Sequence, residues 1–183
     1  MEIKTIQKEE YDVIVVGGGI AGISAAVTAA RMKAKVLLLE KQVNLGGLAT
    51  NGLISWYEPL CDGNNKQIVF GIAEELLRLS VKYCFDSLPK KWGGTDKSAP
   101  RNDRYSTRFS PTVFSLVLDR FITENNVKIL FDTYCTYPVM EGNVCKGVIT
   151  ENVDGRSFFP AKIVIDATGD ASIMYRAGVP CRD

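Results

Sequence analysis

Apolar and polar positions alternate along the chain in two distinct rhythms. Residues 11–16 (Tyr-Asp-Val-Ile-Val-Val) are nearly continuously apolar and run into three glycines, the pattern of a strand buried on both faces. Residues 20–32 place Ala25, Ala26 and Ala29 at close helical spacing, so small side chains would let a helix lie close to a sheet. Residues 35–39 return to a β-type run, closed by Glu40. The tight strand–helix–strand spacing predicts a β-α-β crossover.

Residues 42–60 are rich in glycine and without a period, which predicts mostly loop. From 67 to 81, Ile68, Ile72, Leu76 and Leu79 fall on one helical face. Ser110 can cap a helix with Pro111 at its first position, running to about residue 125. A short strand at 127–131 follows. Strand-like runs at 133–139, 144–151 and 156–159 are separated by Glu141-Gly142-Asn143 and Asp154-Gly155, which predicts a three-stranded meander over 133–160. Residues 162–166 form a last buried strand, then Ala167-Thr168-Gly169-Asp170 and a short helix. Residues 82–110 break the pattern as a long excursion. Lys82, Lys90, Lys91, Lys97, Arg101, Arg104 and Arg108 face only Asp86, Asp96 and Asp103 there. Such a basic loop is either a solvated surface or a cover that draws in an anionic small molecule.

Composition narrows the function classes. The chain has 183 residues, 46% hydrophobic, enough for a full core, and a formal charge of +1 gives no support for nucleic-acid binding. No apolar run reaches the roughly 18 residues of a membrane-spanning helix, and the polar start does not read as a signal peptide. The cysteines Cys61, Cys84, Cys135, Cys145 and Cys181 form no CxxC pair. An odd, scattered set suits a reducing, cytoplasmic setting. There is no histidine, which removes the usual zinc sites and the histidine-dependent triads.

Gly17, Gly19 and Gly22 form GxGxxG between the first strand and the alanine-rich helix. Gly17 allows the tight turn, Gly19 lets backbone approach a pyrophosphate, and Gly22 lets helix and strand pack closely. The pyrophosphate would rest on the helix N-terminus, at the backbone of Gly17, Gly19, Ile20, Ala21 and Gly22. Glu40, ending the second strand, can accept hydrogen bonds from both hydroxyls of an adenosine ribose and disfavours a 2′-phosphate. These residues alone leave FAD and NAD both open. Gly46-Gly47 offers a second close backbone approach, and Ala167-Thr168-Gly169 would lie beside the first turn if their strands are neighbours. Asp170 either caps the following helix or contacts the cofactor.

The motifs at 12–22, at Leu39-Glu40-Lys41, at Leu45-Gly46-Gly47-Leu48-Ala49-Thr50-Asn51-Gly52 and at 163–170 together resemble the FAD-dependent oxidoreductases of the glutathione-reductase-fold flavoproteins. The resemblance implies an α/β, Rossmann-like FAD-binding domain: a parallel sheet with helices and an antiparallel β-meander crossover. It also implies residue roles. The backbones of Gly17 to Gly22 hold the pyrophosphate, Glu40 binds the ribose, and Lys41 lies beside it. Gly46 and Gly47 approach the phosphates and ribityl chain, and Ala49, Thr50 and Asn51 the ribityl-isoalloxazine side. The backbone near Tyr134 and Cys135 meets the adenine, while Thr168 and Gly169 pass the pyrophosphate.

The implied chemistry is flavin-mediated hydride or electron transfer from a small molecule. Two other readings are an NAD-binding dehydrogenase module and a non-catalytic flavin-binding subunit. The chain stops soon after Gly169, without the substrate domain or the second glycine-and-acid segment of such enzymes. The expectation is therefore an incomplete FAD domain over 1–183, inactive alone and completed by a homo-oligomer partner or another chain. No residue is assigned as catalytic; Tyr57, Cys61, Arg104 and Arg108 are the substrate-side candidates, and each has a simpler structural explanation.

Overall fold

The computed structural model describes residues 4–64, 66–83 and 107–181. Two compact units emerge, Met1–Gly47 with Asp119–Asp183 and Leu48–Leu118. The division falls inside one helix.

The first unit is built on a sheet. β1 (Ile6–Gln7) is followed by β2 (Tyr11–Val16), α1 (Ile20–Arg31) and β3 (Val36–Leu39). Further along the chain come β4 (Lys128–Leu130), β5 (Tyr134–Glu141), β6 (Val144–Asn152), β7 (Gly155–Asp166) and α4 (Ser172–Arg176). The strand order is β4-β3-β2-β7-β6-β5, with β1 also on β7. β4, β3, β2 and the second half of β7 run parallel, with Ile14 opposite Leu37 and Val164. β5, β6 and the first half of β7 form the antiparallel meander.

The nearly unbroken apolar run of β2 and the unbroken one of β3 are explained by cover on both faces. Ile14, Val16, Leu37 and Leu39 join Cys135, Val148, Phe159 and Ile173 in one core cluster, so the meander and α4 close that face. Val15 and Leu38, of opposite pleat, lie on the side covered by α1. Each such fully buried side chain is worth roughly 1.5–3 kcal/mol over an exposed one. The face that α1 buries is Gly22, Ile23, Ala26 and Val27. Ala25 and Ala29 are only half-buried, so the alanine spacing locates the helix but sets its rotation slightly off.

The runs at 156–159 and 162–166 are not two strands but one. β7 continues through Pro160, which is tolerated because its ladder position is where β6 departs: the β6 pairing ends at Gly147–Pro160 and the β2 pairing begins at Tyr11–Ala161. Gly147, at φ +147°, makes the departure possible, since a Cβ there would stand 2.2 Å from the Phe159 carbonyl oxygen.

The second unit contains α2 (Ile72–Val81) and the first part of α3 (Pro111–Glu124). The expected helix from residue 67 starts later. Gly71 takes φ +68° ahead of it, while Ile68 and Val69 donate their N–H groups to the Leu60 carbonyl. Its buried face is Leu76, Leu77, Ser80 and Val81, so of the predicted Ile68, Ile72, Leu76 and Leu79 stripe only Leu76 is fully buried. Tyr57 packs on Phe109, which meets Phe114 edge-on at 5.0 Å. Ser110 caps α3 through a long 3.4 Å bond from the Val113 N–H, with Pro111 in its first turn. Of the basic excursion, residues 84–106 lie outside the described residues. Among the described residues no helix is long and apolar enough to cross a membrane.

Candidate cofactor site

In the first unit β2 and β7 deliver two turns to the same edge, the carboxyl end of the parallel strands, where open α/β sheets bind ligands. The Ala167 N–H bonds the Val16 carbonyl at 2.8 Å, so the Ala167-Thr168-Gly169 turn is a direct neighbour of the glycine turn. Gly17 adopts φ +104°, and a Cβ on it would stand 2.4 Å from the Ala167 carbonyl oxygen. A Cβ on Gly22 would meet the Gly17 carbonyl oxygen at 1.8 Å. Gly19 differs: a Cβ there would meet nothing within 4 Å. Two glycines are therefore required by packing, whereas a side chain at the third would project into open space.

That space lies over a helix end. Gly19 is the N-cap of α1, with no side-chain capping bond and no acid in the first turn. The N–H groups of Ile20, Ala21 and Gly22 head the helix, where the dipole favours an anion. Gly46 donates to the Gly18 carbonyl at 2.9 Å and pairs in parallel with Gly19, and a Cβ on Gly47 would lie 3.2 Å from the Gly19 Cα. Leu45, fully buried, anchors this second glycine pair. Gly169, at φ +86°, again leaves open space.

Glu40 follows β3 and is buried, at 7% exposure. Its carboxylate ties the site together: Oε2 accepts the Gly18 N–H and Oε1 accepts the Gln42 N–H at 2.7 Å. A carboxylate has about four acceptor positions, so room remains for a diol donor. The Glu40 carbonyl accepts the Thr133 N–H, which sets the start of β5 beside it. Lys41 is exposed. Tyr134 is half-exposed, whereas the Cys135 side chain points into the core, where burial, helped by the Asp166 charge, pushes its thiol up to about 12. Only the backbone at Cys135 is left for a ligand, and its sulfur is no nucleophile.

Asp170 is exposed and does not cap α4. Asp166 does so instead, accepting the N–H groups of Ile173 and Met174 at 2.8 Å and that of Thr168 at 3.0 Å. Burial raises the Asp166 carboxyl, but these bonds outweigh it and hold the group below the usual carboxylate range. Sequence reasoning passed over this residue, although an acid directly ahead of Ala-Thr-Gly was a readable sign.

Ala49, Thr50 and Asn51 belong to the second unit. Gly47–Ala49 is a short 3-10 turn, Thr50 is buried, and its carbonyl accepts the Leu53 N–H. Tyr57 is held at 5.4 Å from Phe109, and burial pushes its hydroxyl well above the ordinary tyrosine value. Cys61 pairs with Gln67 and packs against Leu60 and Leu77. Arg108 is exposed and pairs with Trp56 through backbone. Arg104 lies outside the described residues.

Known proteins resemble this chain in sequence and in fold. Residues 12–183 match the family model described as FAD dependent oxidoreductase. A digeranylgeranylglycerophospholipid reductase from Methanoculleus marisnigri is 26% identical over 96% of this chain and 44% of its own length. Among solved structures, the L-proline dehydrogenase from P. horikoshii superposes with a TM-score of 0.64 at 17% identity, over 95% of this chain and 57% of that one. A geranylgeranyl bacteriochlorophyll reductase-like protein from Thermoplasma acidophilum gives 0.64 at 19% identity, over 98% and 44%. The chain thus spans about half the length of the relatives it matches. Three converging backbone turns, open space at Gly19 and Gly169 and an uncapped helix end are compatible with a dinucleotide, and the family's dinucleotide is FAD. The chain belongs to the FAD dependent oxidoreductase family.

Proposed function

We propose that this chain is the N-terminal FAD-binding portion of an oxidoreductase that takes a hydride or electrons from a small molecule. The observation that carries the reading is the stacking of Gly46 and Gly47 on Gly19, over the uncapped start of α1. A single glycine turn suffices for a nicotinamide dinucleotide, and this second close approach favours a ligand that runs on past the first phosphate site, as FAD does.

In this reading the N–H groups of Ile20, Ala21 and Gly22, with the backbones of Gly17 and Gly19, hold the pyrophosphate. Glu40 accepts from the adenosine ribose, with Lys41 beside it and the Tyr134–Cys135 backbone at the adenine. Gly46 and Gly47 lie along the phosphates and ribityl chain, Ala49, Thr50 and Asn51 along the ribityl-isoalloxazine side. Thr168, Gly169 and Asp170 border the pyrophosphate. Bound FAD supplies the redox chemistry, and the residues of this chain supply position and electrostatics.

The substrate is chosen elsewhere than at this anchor. The relatives' names point to a glycerophospholipid and to L-proline, which share little beyond being oxidised or reduced. The basic residues of 82–110 suit an anionic substrate. A partner chain, another copy or further polypeptide would complete the catalytic site.

The test is purification followed by a visible spectrum and mass analysis of the released cofactor. Oxidised-flavin bands at about 370 and 450 nm with released FAD are expected. Tight NAD binding with no uptake of FAD, by this chain and by a version extended to its relatives' length, would sink the proposal.

A further inference from the structure

The five residues between the end of β7 and the start of α4 are held chiefly by one side chain. Asp166 Oδ1 accepts the Thr168 N–H at 3.0 Å, and Oδ2 accepts those of Ile173 and Met174 at 2.8 Å each. Thr168 Oγ1 adds the Ser172 N–H at 3.1 Å. The link is strained, because Ala171 sits at φ +51°, a left-handed conformation unfavourable to a non-glycine residue. Strain of that kind persists only where neighbouring bonds over-determine the backbone, which the Asp166 bonds do here.

The position of this link matters at its other end. Ala167 is packed against Gly17 and bonded to Val16, while Gly169 opens onto empty space beside the glycine turn. We propose that Asp166 is a positioning residue for the cofactor: through Thr168 it sets the Thr168–Gly169 backbone at the separation from the Gly17–Gly22 turn that a diphosphate requires. This rests on the FAD reading above. Asp166 itself need touch no cofactor atom. Its N–H partners carry no ligand-binding duty, since all three are spent on its carboxylate.

The experiment compares the parent chain with Asp166→Ala, Asp166→Asn and Asp12→Asn. Asp12 accepts the Lys35 N–H and the Lys162 ammonium near the far end of β2, and so controls for loss of a bonded carboxylate as such. FAD is titrated by flavin fluorescence, the visible circular dichroism of bound flavin is recorded, and thermal unfolding is followed in parallel. The parent and Asp12→Asn should bind FAD alike. Asp166→Ala should bind at least about tenfold more weakly with an altered flavin dichroism, and Asp166→Asn, which keeps one acceptor, should fall between. If the Ala variant does not fold, the Asn variant and its dichroism carry the comparison. Parent-like affinity and dichroism in a folded Asp166 variant would overturn the inference. A loss shared equally by Asp12→Asn would overturn it too, by showing a general stability effect. Failure to bind FAD by the parent chain and by a version extended to its relatives' length overturns the underlying reading instead.

Discussion

A methyl group added at Gly19 and one added at Gly22 meet opposite surroundings, and this separates folding from binding. At Gly22 the new Cβ would stand 1.8 Å from a backbone carbonyl that cannot move without shifting β2, so Gly22→Ala should destabilise by about 1–3 kcal/mol or more. At Gly19 nothing lies within 4 Å and φ is −70°, so Gly19→Ala should leave stability within about 0.5 kcal/mol. The same methyl would occupy the space proposed for the pyrophosphate and should lower FAD affinity sharply. Thermal unfolding with and without FAD distinguishes them, and equal effects of both variants on stability would refute the assignment. Asp166 adds a pH dependence. Its folded carboxyl lies below the ordinary value of about 4, so its stabilising contribution is complete above that value and is lost as pH falls through the lower, folded one. The parent should therefore lose Tm more steeply in acid than Asp166→Asn does; parallel curves would deny the group that role. Gly17, Gly22 and Glu40 were legible because each answers a local backbone demand tied to sequence spacing. Asp166 was less so: an acid directly ahead of Ala-Thr-Gly marks the position, but its partners are backbone N–H groups, which leave no mark in the side chains.

At the scale of elements, the parallel strands and α1 were readable because continuous apolar runs and a glycine turn leave few alternatives. The errors fall where two elements meet. Residues 156–159 and 162–166 are predicted as separate strands with Pro160 between them, yet the ladder asks nothing of that proline at the point where β6 leaves. The start of α2 was misplaced because residues 68–70 continue the apolar period, while Gly71 at φ +68° and the bonds to Leu60 take them out of the helix. The branching of β6 from β7 offers its own test. Gly147→Ala would place a Cβ 2.2 Å from the Phe159 carbonyl oxygen and 2.9 Å from Pro160 Cα, so the meander must shift or unpair. Gly142, in the β5–β6 turn at φ +58° with nothing within 4 Å, should cost only about 1 kcal/mol on the same change. Amide hydrogen exchange across β6 and β7 reads the difference: protection should fall in Gly147→Ala and persist in Gly142→Ala. Equal protection in both would mean that Gly147 is not what lets the strands part.

For the whole molecule, the arrangement of the anchor predicts which part of the cofactor provides the binding energy. Within the first unit, the uncapped α1 end, Glu40 and the start of β5 follow one another along a single edge, and in the proposed reading they take a diphosphate, a ribose and an adenine in that order. FMN carries one phosphate and no adenosine, so it leaves the Glu40 end of that edge unused. NADP brings a 2′-phosphate towards a buried carboxylate that already accepts two backbone N–H groups. FAD should therefore stabilise the chain most, FMN weakly and NADP least. At a free concentration about 100 times its Kd, FAD adds about 2.7 kcal/mol to folding by linkage. In a chain of this size that corresponds to a rise in Tm of roughly 5–10 °C. Glu40→Ala should reduce the FAD shift towards that of FMN, because it removes the group that distinguishes the two ligands. An FMN shift as large as that of FAD, or an FAD shift untouched by the loss of Glu40, would move the anchor away from the adenosine half. The isoalloxazine would then have to carry the affinity, and the second unit, where Ala49, Thr50 and Asn51 lie, would be the place to look for it.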